Sequence, residues 1–312
     1  MQLVKRLKSI STGYWFILPF VLGFLSFGLY PLFNTFRLSL TDYTIMGGGG
    51  DWNDFRNFER LFANPLFWKA IGNTWLIWLL NFIPQIGVAT LLAVWFNSTR
   101  LRIRAVGVWR AIFFLPNLLM PSVVAALFFS LFSYYGPVNQ FMVQGGFQSE
   151  AVHYLQQIGT TRGIVVFIQW WMWFGQTIII VMAGMTSIPV HLYEAAMVDG
   201  ANSWQMFRRI TLPLLKPILI YIFVTSLVGG MQMFDIPYLL TDGEGAPAHS
   251  IMTNVVLMYM KFNSSKGHIG DASAVGVIIF VMTTVCALGI FYALRERLPR
   301  ATDTLNKRDA QR

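Results

Sequence analysis

Hydrophobic residues fall along this chain in long blocks separated by short polar breaks, and these blocks give the first structural expectation. Apolar runs of about 20 residues, the length a helix needs to cross ~30 Å of hydrocarbon, recur through the sequence. They predict spans over Tyr14 to Phe36, Ala70 to Phe96, Ala111 to Phe132, Gly163 to Thr186, Pro217 to Leu240 and Ala272 to Leu294. The run from Gly163 to Met185 is continuously apolar, whereas a membrane β-strand alternates over segments of roughly 10 residues. The expected fold class is an all-α polytopic membrane protein with about six transmembrane helices.

Charge orients these spans. Of the Lys and Arg residues, three precede the first span, four lie from Arg100 to Arg110, three from Arg208 to Lys216 and six after the last span. The alternate segments are poorer, holding Arg37, Arg56, Arg60 and Lys69, then Arg162, then Lys261 and Lys266. An even number of spans with this asymmetry places both termini in the cytoplasm. Lys5, Arg6 and Lys8 lead into an apolar stretch without a clear small-x-small cleavage site, which reads as a retained first span rather than a signal peptide. The tail mixes its basic residues with Glu296, Asp303 and Asp309, as a solvated juxtamembrane segment does, so the +9 net charge points to orientation and membrane lipid and not to nucleic acid. The organisation expected is a cytoplasmic segment at 1–13, a first helix with an external interfacial stretch at 14–69, a core domain at 70–294 and a cytoplasmic basic tail at 295–312.

Composition supports the same class: 55% of residues are hydrophobic and 12% charged, outside the range of ordinary soluble domains. Cys286, the one cysteine, lies in the last apolar run, so no disulfide can form within the chain. His153, His191, His249 and His268 have no ligand spacing, and no metal site is expected. The chain has no Gly-x-x-x-x-Gly-Lys-Ser/Thr phosphate loop, no Gly-x-Ser-x-Gly and no paired carboxylates within a span, so neither nucleotide binding of that type nor hydrolysis is expected and no catalytic residue is assigned. Gly47 to Gly50 reads as a flexible linker from the first span to a short interfacial helix over Phe58 to Trp68.

The segment between the fourth and fifth spans carries the most specific pattern. From Ile188 to Pro213 it reads as two short helices about an Asp199-Gly200 turn. Leu192, Ala195, Ala196 and Val198 form one apolar face of the first helix. Asn202 can cap the second, with Gln205 reaching back to complete a capping box. The small Ala195 and Ala196 allow a partner to approach closely, as at a docking surface; the alternative is a loop packed under its own membrane helices.

Glu194-Ala195-Ala196, followed by Gly200, Ile210 and Pro213, resembles the EAA loop of permease subunits in binding-protein-dependent ABC importers. The stretch from Leu192 to Pro217 resembles the carbohydrate-uptake branch, which includes maltose, oligosaccharide and glycerol-phosphate permeases. Similar agreement is found in Asn57-Phe58 with Phe67-Trp68 and Asn73-Thr74, in Arg110 to Pro116, in Phe234-Asp235 with Tyr238 to Gly243, and in Gly270 with Ala272-Ser273-Ala274. One departure follows the fifth span, where members continue Thr-x-Gly-Gly-Pro and this chain reads Thr241-Asp242-Gly243-Glu244-Gly245-Ala246-Pro247.

The resemblance implies a non-catalytic permease subunit in a bacterial inner (plasma) membrane. It implies a second homologous permease, two cytoplasmic ATPase subunits that bind the ATP and Mg, an extracytoplasmic solute-binding protein and a sugar substrate. It also implies that Glu194, Ala195, Ala196, Asp199 and Gly200 contact an ATPase subunit.

Polar groups inside spans are functional candidates, because unsatisfied polarity in hydrocarbon is costly. Gln169, Trp170, Trp173 and Gln176 offer amides for hydroxyl groups and flat rings for sugar faces, and Gln232 and Asp235 add polarity in the fifth span. Each has a packing alternative: Trp170 or Trp171 as interfacial anchors, the amides as helix-helix bridges, Asp235 at the aqueous outer end. Asn81, Gln85 and Asn117 read as packing or kink partners beside Pro84, Pro116 and Pro121. An ion-coupled secondary transporter would place more ionisable groups at mid-membrane and show inverted repeats, and a membrane enzyme would cluster catalytic groups at one interface.

Overall fold

The computed structural model describes residues 14–97 and 103–294. The expectations placed on 1–13, Arg100, Arg102 and 295–312 lie outside them. Among the described residues, five helices are long and apolar enough to span a membrane, and a bent pair makes a sixth if it is counted as one span. The described residues divide into two compact units, one from the described parts of Met1–Thr74 and Gln232–Val281, the other from those of Trp75–Met231 and Met282–Arg312.

In the first unit, α1 (Tyr14–Ser39) is apolar on all sides, and none of its most hydrophobic window is buried within the chain. An apolar stretch with no buried residue suits lipid or a partner chain, while the C-terminal turns of α1 are covered, with Phe36 edge-on against Phe280 and Ser39 buried. Beyond it, Gly47 to Gly50 is an ordered turn and not the flexible linker expected. Gly48, Gly49 and Gly50 all have positive φ, Thr44 N–H donates to Gly48 O at 3.1 Å and Ile45 N–H to Gly267 O at 3.1 Å. The bridge of Thr44 to His268 pins this turn to a segment more than 200 residues away in sequence.

The expected helix over Phe58 to Trp68 is split. Helix α2 (Arg56–Phe62) ends, Asn64 Oδ1 accepts from Leu66 N–H at 3.0 Å, and Pro65 opens α3 (Pro65–Phe96), where a missing N–H costs nothing. Asn57 on α2 is buried. Its amide donates to Ser39 O at 2.8 Å and Thr41 O at 3.0 Å, while its Oδ1 accepts from Asn53 at 2.9 Å and from Arg60. Arg60 reaches Asp271 at 3.2 Å and Asp42 at 3.4 Å, and Lys261 pairs with Asp271 at 3.6 Å. Lys261 closes α12 (Asn254–Phe262) and Asp271 opens α13 (Ile269–Leu294), so one polar knot fastens the C-terminal end of α1 to both.

Asn57→Leu strands two buried carbonyls, each costing about 1–3 kcal/mol. We expect a lower Tm for the purified variant; an unchanged Tm would mean that those carbonyls find other donors.

In the second unit the expected third span is broken. Helices α4 (Val106–Leu118) and α5 (Pro121–Leu131) meet at 90°. Leu119 and Met120 are extended, with ψ of 140° and 133°, because a proline removes a helical donor and pushes the preceding residue out of the α region. Helix α6 (Pro137–Gln144) follows, then α7 (Ile158–Thr186). Helix α10 (Lys216–Met231) ends this unit's stretch of the fifth candidate span, Lys216–Leu239; its last turns, α11 (Asp235–Leu239), belong to the first unit.

Close approach is bought with glycines: a Cβ on Gly175 would lie 1.9 Å from Phe113 O, and one on Gly230 would lie 2.0 Å from Trp78 Cδ1. Around these crossings Gln85 Nε2 donates to Thr177 Oγ1 at 2.8 Å and Asn117 Nδ2 to Met172 O at 3.2 Å. Trp78 Nε1 donates to Ser226 Oγ at 3.2 Å. Gln85 and Asn117 are thus helix-helix bridges as expected, and Asn81 bonds back to Ile77 O of its own helix at 2.9 Å.

Candidate functional site

The loop between the fourth and fifth spans is a rigid pair of short helices. Helix α8 (Val190–Val198) starts after an extended Pro189. Gly200 closes it at φ +77°: Gly200 N–H donates to Met197 O at 3.1 Å and Ala201 N–H to Ala196 O at 2.8 Å. This is a Schellman closure, which needs a residue in the left-handed region.

Asn202 then opens α9 (Ser203–Met206) with the expected capping box. Gln205 N–H donates to Asn202 Oδ1 at 2.8 Å, and Asn202 N–H donates to Gln205 Oε1 at 2.9 Å. A π-helical turn, Phe207–Thr211, carries the chain on. Tyr193 Oη and Thr211 Oγ1, 2.8 Å apart, tie the two halves together.

Glu194, Ala195, Asp199 and Gly200 are exposed, and Ala196 is half-buried. The apolar face expected on α8 is not a single inward stripe. Leu192 and Ala196 turn inward, whereas Ala195 is open and Val198 is 89% exposed. Nine residues make only two and a half turns, and positions 192 and 196 share a face that 195 and 198 leave progressively. Val198 therefore points an apolar side chain outward, next in sequence to Asp199 and one helical turn from Glu194, and Trp204 on α9 is 65% exposed. The sequence pattern grouped these apolar residues but could not say which side packs.

On α7 the four pathway candidates separate. Gln169, Trp173 and Gln176 fall at i, i+4 and i+7 and share one helical stripe. Gln169 is buried, Gln176 half-buried and Trp173 47% exposed, so the stripe opens outward around the indole. Trp170 lies off this stripe. It stacks on Phe174 at 4.9 Å between ring centroids and leans on Phe167 at 5.6 Å, and Phe174 packs edge-on against Phe113 at 5.6 Å. Trp170 therefore stands in an aromatic packing column. Gln232 and Asp235 are exposed and belong to the other compact unit. Ser226, held by Trp78, went unremarked in the sequence because a lone serine in an apolar run carries no pattern.

Residues 61–300 match the family described as the binding-protein-dependent transport system inner membrane component. The chain belongs to that family. The permease is thus a multi-pass, non-catalytic component of an inner membrane, working with a binding protein and other subunits. It is 32% identical over 294 residues to the lactose transport system permease protein LacF of Rhizobium radiobacter, covering 94% of this chain and 97% of that one. It is 31% identical over 283 residues to the arabinooligosaccharides transport system permease protein AraP of Bacillus subtilis (strain 168), covering 89% and 87%.

Among solved structures, a bacterial ABC transporter involved in the import of the acidic polysaccharide alginate superposes with a TM-score of 0.78 at 26% identity, covering 95% of the permease and 99% of that chain. The bacterial alginate ABC transporter in complex with an alginate pentasaccharide-bound periplasmic protein gives 0.77 at 26% identity, covering 95% and 98%.

Proposed function

We propose that the permease forms half of the translocation pathway of an ATP-driven importer that takes an oligosaccharide from an extracytoplasmic binding protein. A second homologous permease completes the pathway, and two ATPase subunits bind the ATP and Mg. The observation that carries this reading is the near full-length similarity to permeases whose names specify lactose and arabinooligosaccharides. The chemistry of α7 agrees with it: an exposed indole flanked on one stripe by two amides suits the apolar face and hydroxyl rim of a sugar ring. In this reading Gln169, Trp173 and Gln176 line the pathway, Trp170 holds the α7 scaffold, and Gln232 and Asp235 are polar pathway candidates of the other unit.

Both termini and the loop at 188–217 face the cytoplasm, and 70–294 is the working core. The loop is the lever. Glu194, Ala195, Ala196, Asp199 and Gly200 seat it on an ATPase subunit, and the Schellman closure and capping box keep it stiff enough to pass a displacement to the helices on either side. ATP binding drives alternating access only if the ATPase pair has different affinity for nucleotide in the outward- and inward-facing states, and a compliant loop would dissipate that difference.

Trp173→Ala and Gln176→Ala should re-rank substrates without loss of assembly. Removing a ring that stacks on sugar costs about 1 kcal/mol, several-fold in affinity. We expect uptake of a panel of labelled oligosaccharides to change several-fold in relative rate between members. A panel unchanged in both variants would remove these residues from the pathway.

A further inference from the structure

We propose that the segment joining α5 to α7, residues 132–157, is a membrane-interface anchor whose aromatic face lies in the phospholipid headgroup layer. Its composition is the first indication. Across these residues Glu150 is the sole acidic group and there is no Lys or Arg, while Tyr134, Tyr135, Phe141, Phe147 and Tyr154 are spread through it. Electrostatic steering of a soluble partner needs charge that this segment lacks, and aromatic rings with few charges fit the bilayer interface; a protein contact of the same composition is the competing outcome of the test below.

The backbone is held rigidly, so the exposure of these rings is a property of the fold. Asn139 is buried. Its amide donates to Ser133 O at 3.1 Å and Val152 O at 2.9 Å, and its Oδ1 accepts from Val152 N–H at 2.9 Å. These three bonds close the loop on itself. Gly136 sits where a Cβ would lie 2.5 Å from both Ser130 O and Leu131 O, which locks the entry into α6 against the end of α5. Tyr154 Oη donates to Gln148 at 3.0 Å on the far side of the loop.

From this stapled frame Tyr135 is 84% exposed, Phe141 67% and Phe147 68%. Phe141 and Phe147 stack at 6.1 Å between centroids, presenting one continuous apolar edge. Gln140 and Gln144, one turn apart on α6 and both exposed, border Phe141 on the same exposed face and supply amides at the headgroup level. The occupant is lipid because the loop is continuous with hydrocarbon-crossing structure: α7 begins at Ile158 and is itself a candidate span. The segment is thereby held at the membrane boundary whichever face of the membrane that is.

The test uses the assembled transporter in phosphatidylethanolamine/phosphatidylglycerol vesicles, with Cys286→Ser and a nitroxide placed at Phe141→Cys, Phe147→Cys or Glu150→Cys. Collision with oxygen should exceed collision with a water-soluble nickel chelate at 141 and 147, with the ratio reversed at 150. Equal access of the nickel chelate at all three positions overturns the proposal. So does protection of 141 and 147 that appears only when the binding protein is added, which would make the face a protein dock.

A lipid-soluble diazirine photolabel on the unaltered chain in native membrane vesicles gives a reading free of substitutions. Carbene adducts on Phe141 and Phe147 support the anchor, and their absence overturns it.

Discussion

Gly175→Val should leave less than about a tenth of the wild-type amount of folded permease in the membrane, while Gly163→Val on the same helix leaves it unchanged. At Gly175 the added Cβ would stand 1.9 Å from Phe113 O, 2.5 Å from Phe113 C and 3.0 Å from Phe114 Cα. All three are backbone atoms of α4, so no rotamer change makes room. Overpacking a core costs about 1–3 kcal/mol when side chains can shift, and more when backbones must separate. Here separation of α4 from α7 also stretches the Asn117 bond to Met172 O and opens the Phe113–Phe174 contact. At Gly163 nothing lies within 4 Å of the added atom. The readout is the monodisperse fraction after mild detergent extraction, normalised to expression. Equal yields from both variants would mean that α4 does not cross α7 at Gly175.

The same crossing shows what the sequence could and could not reveal. The spans were legible because the membrane imposes a length and a polarity on each block, and hydropathy alone measures both. The break between α4 and α5 was legible only as a kink beside Pro116 and Pro121; hydropathy averages over 111–132 and is blind to a bend as large as 90°, which is a matter of backbone conformation. The capping box was legible because Asn202 and Gln205 are three residues apart and every atom in the motif is local. The ordered turn at Gly47 to Gly50 was not, because its partners Gly267 and His268 are distant in sequence and glycine runs look alike whether they are free or pinned.

The α7 stripe lies between these cases. Helical periodicity groups Gln169 with Trp173 and Gln176, but it cannot say that Trp170 stands in an aromatic column with Phe167 and Phe174. That column ends on Phe113 of α4, a tertiary fact. The exposed rings at 135, 141 and 147 have a similar status: their presence is in the sequence, but their exposure depends on the three bonds of Asn139.

Glu194→Lys and Gly200→Val should each cut sugar uptake at least about tenfold while leaving the permease inserted at normal levels, and both should reduce the ATPase subunit recovered with it in mild detergent. The two substitutions reach this result by different routes. Glu194 is exposed on α8, so reversing its charge alters the proposed docking surface and leaves the loop's own bonds intact. Gly200 has nothing within 4 Å of an added Cβ, so valine there acts through the backbone: at φ +77° a β-branched residue costs about 1–2 kcal/mol or more. The cheapest relief is to open the Schellman closure.

An opened closure would free α8 to swing against α9, and the lever would lose stiffness even where its surface is unchanged. Asparagine tolerates the left-handed region better than valine, so Gly200→Asn should recover much of the transport that Gly200→Val loses, whereas no conservative backbone logic rescues Glu194→Lys. If valine and asparagine at 200 were equally impaired, the turn would matter for its lack of a side chain rather than its conformation. If Glu194→Lys bound ATPase and transported at the wild-type rate, the ATPase would have to engage another surface of the chain.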